Sequence, residues 1–114
     1  MKIPMQMGGA VEYGTISNSD YGVTVHYYSD GKIVLIAAVC NKLKEAIPHN
    51  TWITLTSNIP SVNANFNPQT SSLSLNGKTI SFYIIGTEIR ILCRTSGGLA
   101  VNDGFTIEMA YFKA

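Results

Sequence analysis

The sequence has little charge. Asp, Glu, Lys and Arg make up 13% of its 114 residues, about half of the roughly 25% that is usual in soluble domains. The formal net charge is only +1, so nothing attracts the chain electrostatically to nucleic acid, and no nucleic-acid partner is expected. A surface this poor in charge must stay soluble through uncharged polar side chains, or be partly covered by other subunits.

Cysteine is also scarce. Cys40 and Cys93 are the only two, they form no CxxC pair, and no histidine lies at metal-ligand spacing from either. Each lies within or at the end of an apolar run, which predicts two buried free thiols. A disulfide between neighbouring strands is the alternative. The sequence therefore predicts no metal site and no cofactor.

Long hydrophobic runs are absent. The longest, Ile33–Cys40, is far too short to cross a bilayer as a helix, so no membrane insertion is expected. Residues 1–10 contain Pro4 and no apolar segment of the length that a secretory signal requires. They are interpreted as a lead-in segment, and residues 11–114 as a single domain.

What remains is a β pattern. Asp30-Gly31 separates two β-rich runs, Gly22–Ser29 and Lys32–Cys40, and predicts an antiparallel hairpin with a type I′ turn. The only helix-like stretch, residues 41–50, predicts a loop with at most one helical turn.

Several further short strands follow, interrupted by a long polar connection over residues 57–72. Alternation turns Ile80, Phe82 and Ile84 inward in one of these strands, and Ile89, Ile91 and Cys93 inward in the next. The expected fold is all-β, an antiparallel β-sandwich of jelly-roll type. An immunoglobulin-like sandwich, with Trp52 in the core between the two cysteines, is the alternative.

The run Ile33–Val39 does not alternate, because both of its faces are apolar. A strand of an antiparallel sandwich normally has one face toward water. We therefore expect a neighbouring subunit to cover the second face, around a three-fold axis. Ile36 is taken as an outward residue of this strand, so that a lysine there would disrupt the assembly.

The order of these pieces resembles a known family. A hairpin with a dense apolar second arm is followed by a tryptophan strand that closes on L-x-x-x-I-P, residues 55–60, and later by G-T-E-I-R-I, residues 86–91. A Gly-rich loop and a terminal strand ending in aromatic residues complete the series. This resembles the C-terminal head domains of bacteriophage and prophage tail-fibre and receptor-binding proteins, over residues 11–114.

The resemblance implies a small jelly-roll head that forms a homotrimer at the tip of a phage tail fibre or baseplate and binds a host cell-surface saccharide. It implies a virion protein that is made in the bacterial cytoplasm. Two other hypotheses stay open: a structural trimer that decorates a fibre or baseplate without a ligand, and a carbohydrate-binding module of a secreted bacterial protein. The last predicts a monomer.

Candidate ligand residues are polar and uncharged or aromatic. The loop N-A-N-F-N offers amides that can donate to and accept from sugar hydroxyls, with an aromatic ring that could face a pyranose. His49 and Trp52 are second choices, and Trp52 could equally be a structural residue packed in the sandwich or at a subunit interface. The predicted ligand residues are therefore Asn63, Asn65, Phe66, Asn67, His49 and Trp52.

No catalytic motif is present in the sequence. Glycosidase chemistry needs two carboxyl groups that face each other across a groove, and each acid here has a simpler interpretation as a turn former or strand-edge residue. The serines lack the G-x-S-x-G context of an esterase, and the two histidines have no partners at useful spacing. The sequence predicts a binding protein and not an enzyme.

Overall fold

The computed structural model describes residues 11–114, so the predicted lead-in segment, residues 1–10, lies outside the described part of the chain. Within that part the structure is all-β, as expected. Eight strands follow one another along the chain: β1 (Glu12–Asn18), β2 (Val23–Ser29), β3 (Ile33–Cys40), β4 (Ile53–Thr56), β5 (Gln69–Leu73), β6 (Thr79–Ile85), β7 (Glu88–Cys93) and β8 (Phe105–Phe112).

The strands form two four-stranded antiparallel sheets that pack as a sandwich. The first sheet has the order β1-β2-β3-β8 and the second has the order β4-β7-β6-β5. The chain builds three neighbouring strands of the first sheet, moves to the second sheet for the next four, and returns to pair β8 with β3. This confirms the antiparallel β-sandwich, in which each sheet has one face toward the core.

The predicted hairpin is confirmed, with a different turn. β2 pairs with β3 from Val23 opposite Cys40 to Ser29 opposite Val34. Gly31 has a φ of 94°, but Asp30 has no positive φ, so the type I′ expectation was wrong. Asp30 Oδ1 accepts hydrogen bonds from the backbone N–H groups of Lys32 and Ile33, at 2.9 and 3.0 Å, and this carboxylate closes the turn instead.

The core lies between the two sheets and is aliphatic and aromatic. Alternate residues of the strands face inward, and the rings of Phe82 and Phe105 meet across the sandwich with centroids 5.6 Å apart. Cys40 and Cys93 are both buried, free thiols, as predicted. Inward-facing positions of the second sheet are fully buried, as alternation predicted: Ile80, Phe82, Ile84, Ile89, Ile91 and Cys93.

Several expectations from the sequence were wrong in detail. Ile36 is 3% exposed and faces the core, because alternation places Ile33 and Leu35 on the outer face of β3 instead. β5 begins within residues 57–72, which were interpreted as a polar connection without a strand. Residues 41–50, by contrast, form a loop, consistent with the expectation of at most one helical turn. The immunoglobulin arrangement also fails, because Trp52 packs against Tyr83 on the outer face of the second sheet.

A buried carboxylate ties the loops at one end of the sandwich together. Asp103 is 4% exposed and accepts hydrogen bonds from the Asn76 amide, from Lys78 Nζ at 2.9 Å and from the Ala100 N–H at 2.8 Å. The hydrogen bond from Lys78, with smaller contributions from Ala100 and Asn76, lowers the pKa of this carboxyl. The side chain thereby joins the β5–β6 turn to the segment that enters β8.

Replacing Asp103 with Ala should lower the free energy of unfolding by about 2–3 kcal/mol, because three donors lose a charged acceptor. Urea denaturation measured side by side for the two proteins checks this. Asp20→Ala is the matched control, since Asp20 is an exposed turn residue. Equal destabilisation by both variants would contradict a specific role for Asp103.

The contribution of Asp103 should depend on pH. Because its pKa is lowered in the folded state, its stabilisation is fully present above the unfolded value of about 3.9. It is lost as the pH falls through the lower folded value. The difference in unfolding free energy between the native protein and Asp103→Ala should stay constant from pH 7 to about pH 5 and shrink below pH 4. An unchanged difference at pH 3 would contradict this linkage.

Candidate functional site

The outer face of the second sheet holds a cluster of aromatic and polar side chains. We call it the aromatic–arginine cluster; it consists of Trp52, Thr54, Tyr83, Glu88 and Arg90. The register places Thr54 opposite Arg90 and Arg90 opposite Tyr83, across β4, β7 and β6. Because strand residues next to them, such as Leu55, Phe82 and Ile89, are buried in the core, these side chains point outward. Three strands of a rigid sheet therefore hold the cluster.

Its apolar part is an edge-to-face aromatic pair. The ring centroids of Trp52 and Tyr83 are 4.7 Å apart and the ring planes meet at 88°. Ile53, the next residue, packs against the core, so alternation turns Trp52 outward. Trp52 is only half-buried, and the contact with Tyr83 fixes its orientation while part of the indole stays open to solvent.

Its polar part is a chain of hydrogen bonds around an ion pair. Arg90 Nε donates to Glu88 Oε1 at 3.0 Å and Arg90 Nη1 donates to the Tyr83 hydroxyl at 3.1 Å. The Thr54 hydroxyl donates to the same carboxylate oxygen, Oε1, at 2.9 Å. The Arg90 guanidinium carbon lies 5.8 Å from the centroid of the Tyr83 ring, within reach of a cation–π attraction. The network links the ion pair to the aromatic pair.

These contacts keep both charged groups ionised. The hydrogen bond from Thr54, and next the one from Arg90, lower the pKa of the Glu88 carboxyl. The bonds with Glu88 and Tyr83 raise the pKa of the Arg90 guanidinium. Both side chains are about one-third exposed, so the pair is screened by solvent and adds little to stability. It fixes positions more than it stabilises the fold.

The arrangement leaves bonding capacity directed outward. Glu88 Oε1 already accepts two hydrogen bonds, whereas Oε2 accepts none from the described residues. Arg90 uses Nε and Nη1 and keeps donors on Nη2. A partly open aromatic ring beside a fixed acceptor and a fixed donor can bind a ligand that has both an apolar face and hydroxyl groups.

The ligand residues predicted from the sequence do not form one site. His49 forms an isolated backbone β-bridge with Cys93, and Ile47 in the same segment forms one with Leu99. Leu99 precedes β8, so His49 lies near the start of that strand. The backbone N–H of Asn63 donates to the Phe112 carbonyl at 2.8 Å, at the far end of that strand. Eight residues of strand separate these ends by about 23 Å. His49 and the loop 63–67 therefore lie at opposite ends of the sandwich.

Two of the three asparagine side chains in the loop 63–67 already form hydrogen bonds within the loop. Asn63 Oδ1 accepts from the Asn65 N–H at 3.0 Å, and Asn67 Nδ2 donates to the Ala64 carbonyl at 3.4 Å. Phe66 is 57% exposed, and its ring lies 5.2 Å from that of Phe112. The Asn65 side chain is exposed. The structure thus gives Asn63 and Asn67 roles in the turn and leaves Asn65 and Phe66 accessible.

A second surface, the outer face of the first sheet, is apolar. Leu35 is 50% exposed and Ile33 42% exposed, and Tyr13 and Tyr28 form an edge-to-face pair beside them with centroids 5.2 Å apart. Phe112 extends this surface at the end of the sandwich where the loop 63–67 lies. We call it the apolar face; its main side chains are Tyr13, Tyr28, Ile33, Leu35, Ala110 and Phe112. The prediction that β3 is apolar on its outward side is confirmed.

Sequence reasoning found Trp52 but missed its partners. Tyr83, Glu88 and Arg90 lie within strands whose inward residues were predicted well, so alternation alone marked them as outward. Their proximity to Trp52 depends on the pairing of β4 with β7 and of β7 with β6. That pairing joins residues about thirty positions apart in the chain and has no local signal.

The described residues hold neither a metal cluster nor a membrane-spanning helix. No three His, Cys, Asp or Glu side chains there come together as metal ligands would. Among residues 11–114 no helix is long and apolar enough to cross a membrane.

The chain was compared with family models, with curated proteins and with solved structures. None of the three comparisons found a significant match.

The aromatic pair can be tested through fluorescence, because Trp52 is the only tryptophan. Tyr83→Ala should shift the emission of Trp52 to longer wavelength, since the indole gains contact with water, and should lower stability by about 0.5–1.5 kcal/mol beyond the loss of buried area. Tyr28→Ala removes one ring of the comparable Tyr13–Tyr28 pair on the other sheet. It should leave the emission unchanged. An unshifted spectrum in Tyr83→Ala would contradict the contact.

Proposed function

We propose that this chain is a non-catalytic receptor-binding domain that recognises a cell-surface saccharide through the aromatic–arginine cluster. The observation that carries the proposal is the partly exposed Trp52, fixed edge-to-face on Tyr83 beside the Glu88–Arg90 pair. A pyranose has an apolar face of C–H groups and a rim of hydroxyls. The ring of Trp52 suits the first, and Glu88 Oε2 and Arg90 Nη2 suit the second.

Rigidity supports this site over the loops. Four of the five side chains lie on three paired strands and Trp52 directly precedes β4, so a ligand would not have to order a long loop on binding. The loop 63–67 remains the alternative site, with Asn65 and Phe66 as its accessible side chains. It would bind through amides and one exposed ring, without a charged pair.

The charges of the cluster favour a neutral saccharide. Glu88 balances Arg90 at 3.0 Å, so the site has no net charge to attract a carboxylate or phosphate. Each hydrogen bond to a sugar replaces one to water, so a single site should bind weakly. Several copies on one particle would raise the apparent affinity through avidity.

The wider setting of the proposal comes from the family resemblance. It places the chain at a phage tail tip as a homotrimeric jelly-roll head, made in the bacterial cytoplasm and carried on the virion. Two four-stranded sheets agree with a jelly roll in layers and strand number, although β1, β2 and β3 are consecutive neighbours in one sheet. The low charge and the apolar face support an assembly of several copies.

A structural trimer without a ligand is the second candidate. The apolar face favours it, because exposed Ile33 and Leu35 need no ligand to explain them if they only join subunits. It predicts that replacing the aromatic–arginine cluster has no effect on cell attachment.

Saccharide binding is tested by titrating neutral and uronic-acid-containing oligosaccharides, and then host cell-wall polysaccharide, into the protein. Trp52 emission and calorimetry provide two readouts. Trp52→Ala should weaken binding about tenfold or more, because truncation of an aromatic anchor costs at least about 1.4 kcal/mol. Glu88→Gln should weaken it less, since the amide still accepts a hydrogen bond.

The double variant Asn65→Ala with Phe66→Ala is the matched control for the rival site. Unchanged binding in this variant together with weak binding in Trp52→Ala supports the cluster, and the reverse assigns the ligand to the loop. If the native protein binds none of the saccharides offered, saccharide recognition is refuted and the structural candidate is favoured.

A further inference from the structure

Among residues 11–114, the apolar face has only two ionisable side chains besides its tyrosines, and they occupy one row. The register joins Thr15, His26, Ala37 and Glu108 across β1, β2, β3 and β8. His26 and Glu108 are two strands apart, about 10 Å, which is too far for a direct bond within one chain. Both are exposed, and Glu108 has no hydrogen bond or ion pair with the described residues.

In the next row the two halves of the face differ in size: a large side chain lies on β2 and a small one on β8. Tyr28, Leu35 and Ala110 are aligned across β2, β3 and β8. Leu35 stands between two shallow grooves of about 310 Å³ each, one on the side of β2 and the other on the side of β8. The β2 half of the face thus carries an imidazole and a large ring, and the β8 half carries a carboxylate and a methyl group.

These two halves are complementary when one copy is rotated onto another about an axis parallel to β3. Such a rotation keeps each row at its own height and brings the β2 half of one copy against the β8 half of the next. His26 then faces Glu108, and Tyr28 faces Ala110. The Thr15 hydroxyl lies 3.2 Å from His26 Nδ1, so Nε2 is the nitrogen left to meet the carboxylate.

We propose that the apolar face is the surface through which copies of this chain associate, with the β2 half of one copy against the β8 half of the next. The occupant of the face is a second copy, because the face is complementary to itself: its own row supplies both the carboxylate for His26 and the imidazole for Glu108. The inference extends the assembly part of the proposed function and does not depend on the saccharide site, which lies on the other sheet.

The area of the face fits such a contact. Four strands at about 4.8 Å by eight residues at about 3.3 Å give roughly 500 Å² per copy, or roughly 1,000 Å² when two faces meet. That is near the lower limit for a specific interface. Association should therefore depend on concentration in the micromolar range. A two-fold and a three-fold axis parallel to β3 both create this junction, and the mass of the assembly distinguishes them.

The face is tested by light scattering across a concentration series. The native chain should exceed the monomer mass, and Leu35→Glu should run as a monomer at the same concentrations. Leu73→Glu is the matched control, since Leu73 is 63% exposed on an edge strand of the other sheet, and its mass should equal that of the native chain. A monomeric native chain, or an unchanged mass in Leu35→Glu, would overturn the proposal.

The junction itself is tested by a charge swap. His26→Glu places two carboxylates together and should weaken association at least tenfold. Adding Glu108→Lys to that variant restores an opposite pair and should recover the native mass. Dichroism checks that each variant stays folded. If His26→Glu associates like the native chain, or if the double variant does not recover, the half-to-half arrangement is overturned.

The outcomes separate this inference from the proposed function. A trimer that is dispersed by Leu35→Glu supports the interface and the tail-tip setting together, whereas a dimer supports the interface and refutes the trimer. A native trimer that Leu35→Glu leaves intact refutes only this interface. The effect of Trp52→Ala on saccharide binding is a separate measurement, and its outcome does not depend on the mass of the assembly.

Discussion

The structure depends on the burial of two sheet faces against each other. The rings of Phe82 and Phe105 meet at 5.6 Å between the sheets, surrounded by side chains such as Val25, Val34 and Ile91 that have no exposed surface. Once these residues face inward, strand alternation leaves no choice for their neighbours. A slip of one residue would expose the core of a strand and bury its polar side chains, so this single constraint also determines what each outer face displays.

The two outer faces differ in chemistry. The face of the first sheet is apolar around Leu35, with His26 and Glu108 as isolated charged or titratable groups at the same height. The face of the second sheet has Trp52 held by Tyr83, and a network in which both charges are already paired. Two surfaces on opposite sides of one rigid sandwich can serve assembly and ligand recognition at the same time, because the two contacts use different residues and do not overlap.

Local pattern predicted much of the fold. The β2–β3 hairpin, the buried cysteines and the inward residues of β6 and β7 follow from alternation and from Asp30-Gly31, whose signals lie within a few residues of one another. The errors also have local causes. β5 is a polar edge strand with serines and a threonine, so it was indistinguishable from a loop, and Ile36 was assigned to the wrong face because β3 is apolar on both sides and gives no alternation to read.

The sequence by itself determined the fold class, the low charge and the presence of a strand with two apolar faces, because composition and period are properties of neighbouring residues. Only the tertiary structure decided which side chains meet. Trp52 and Tyr83 are brought to 4.7 Å by the pairing of β4, β7 and β6, while His49 and the loop 63–67 are sent to opposite ends of the sandwich. Strand pairing is non-local, and its choice rests on the summed packing of the whole core, which no single stretch of sequence contains.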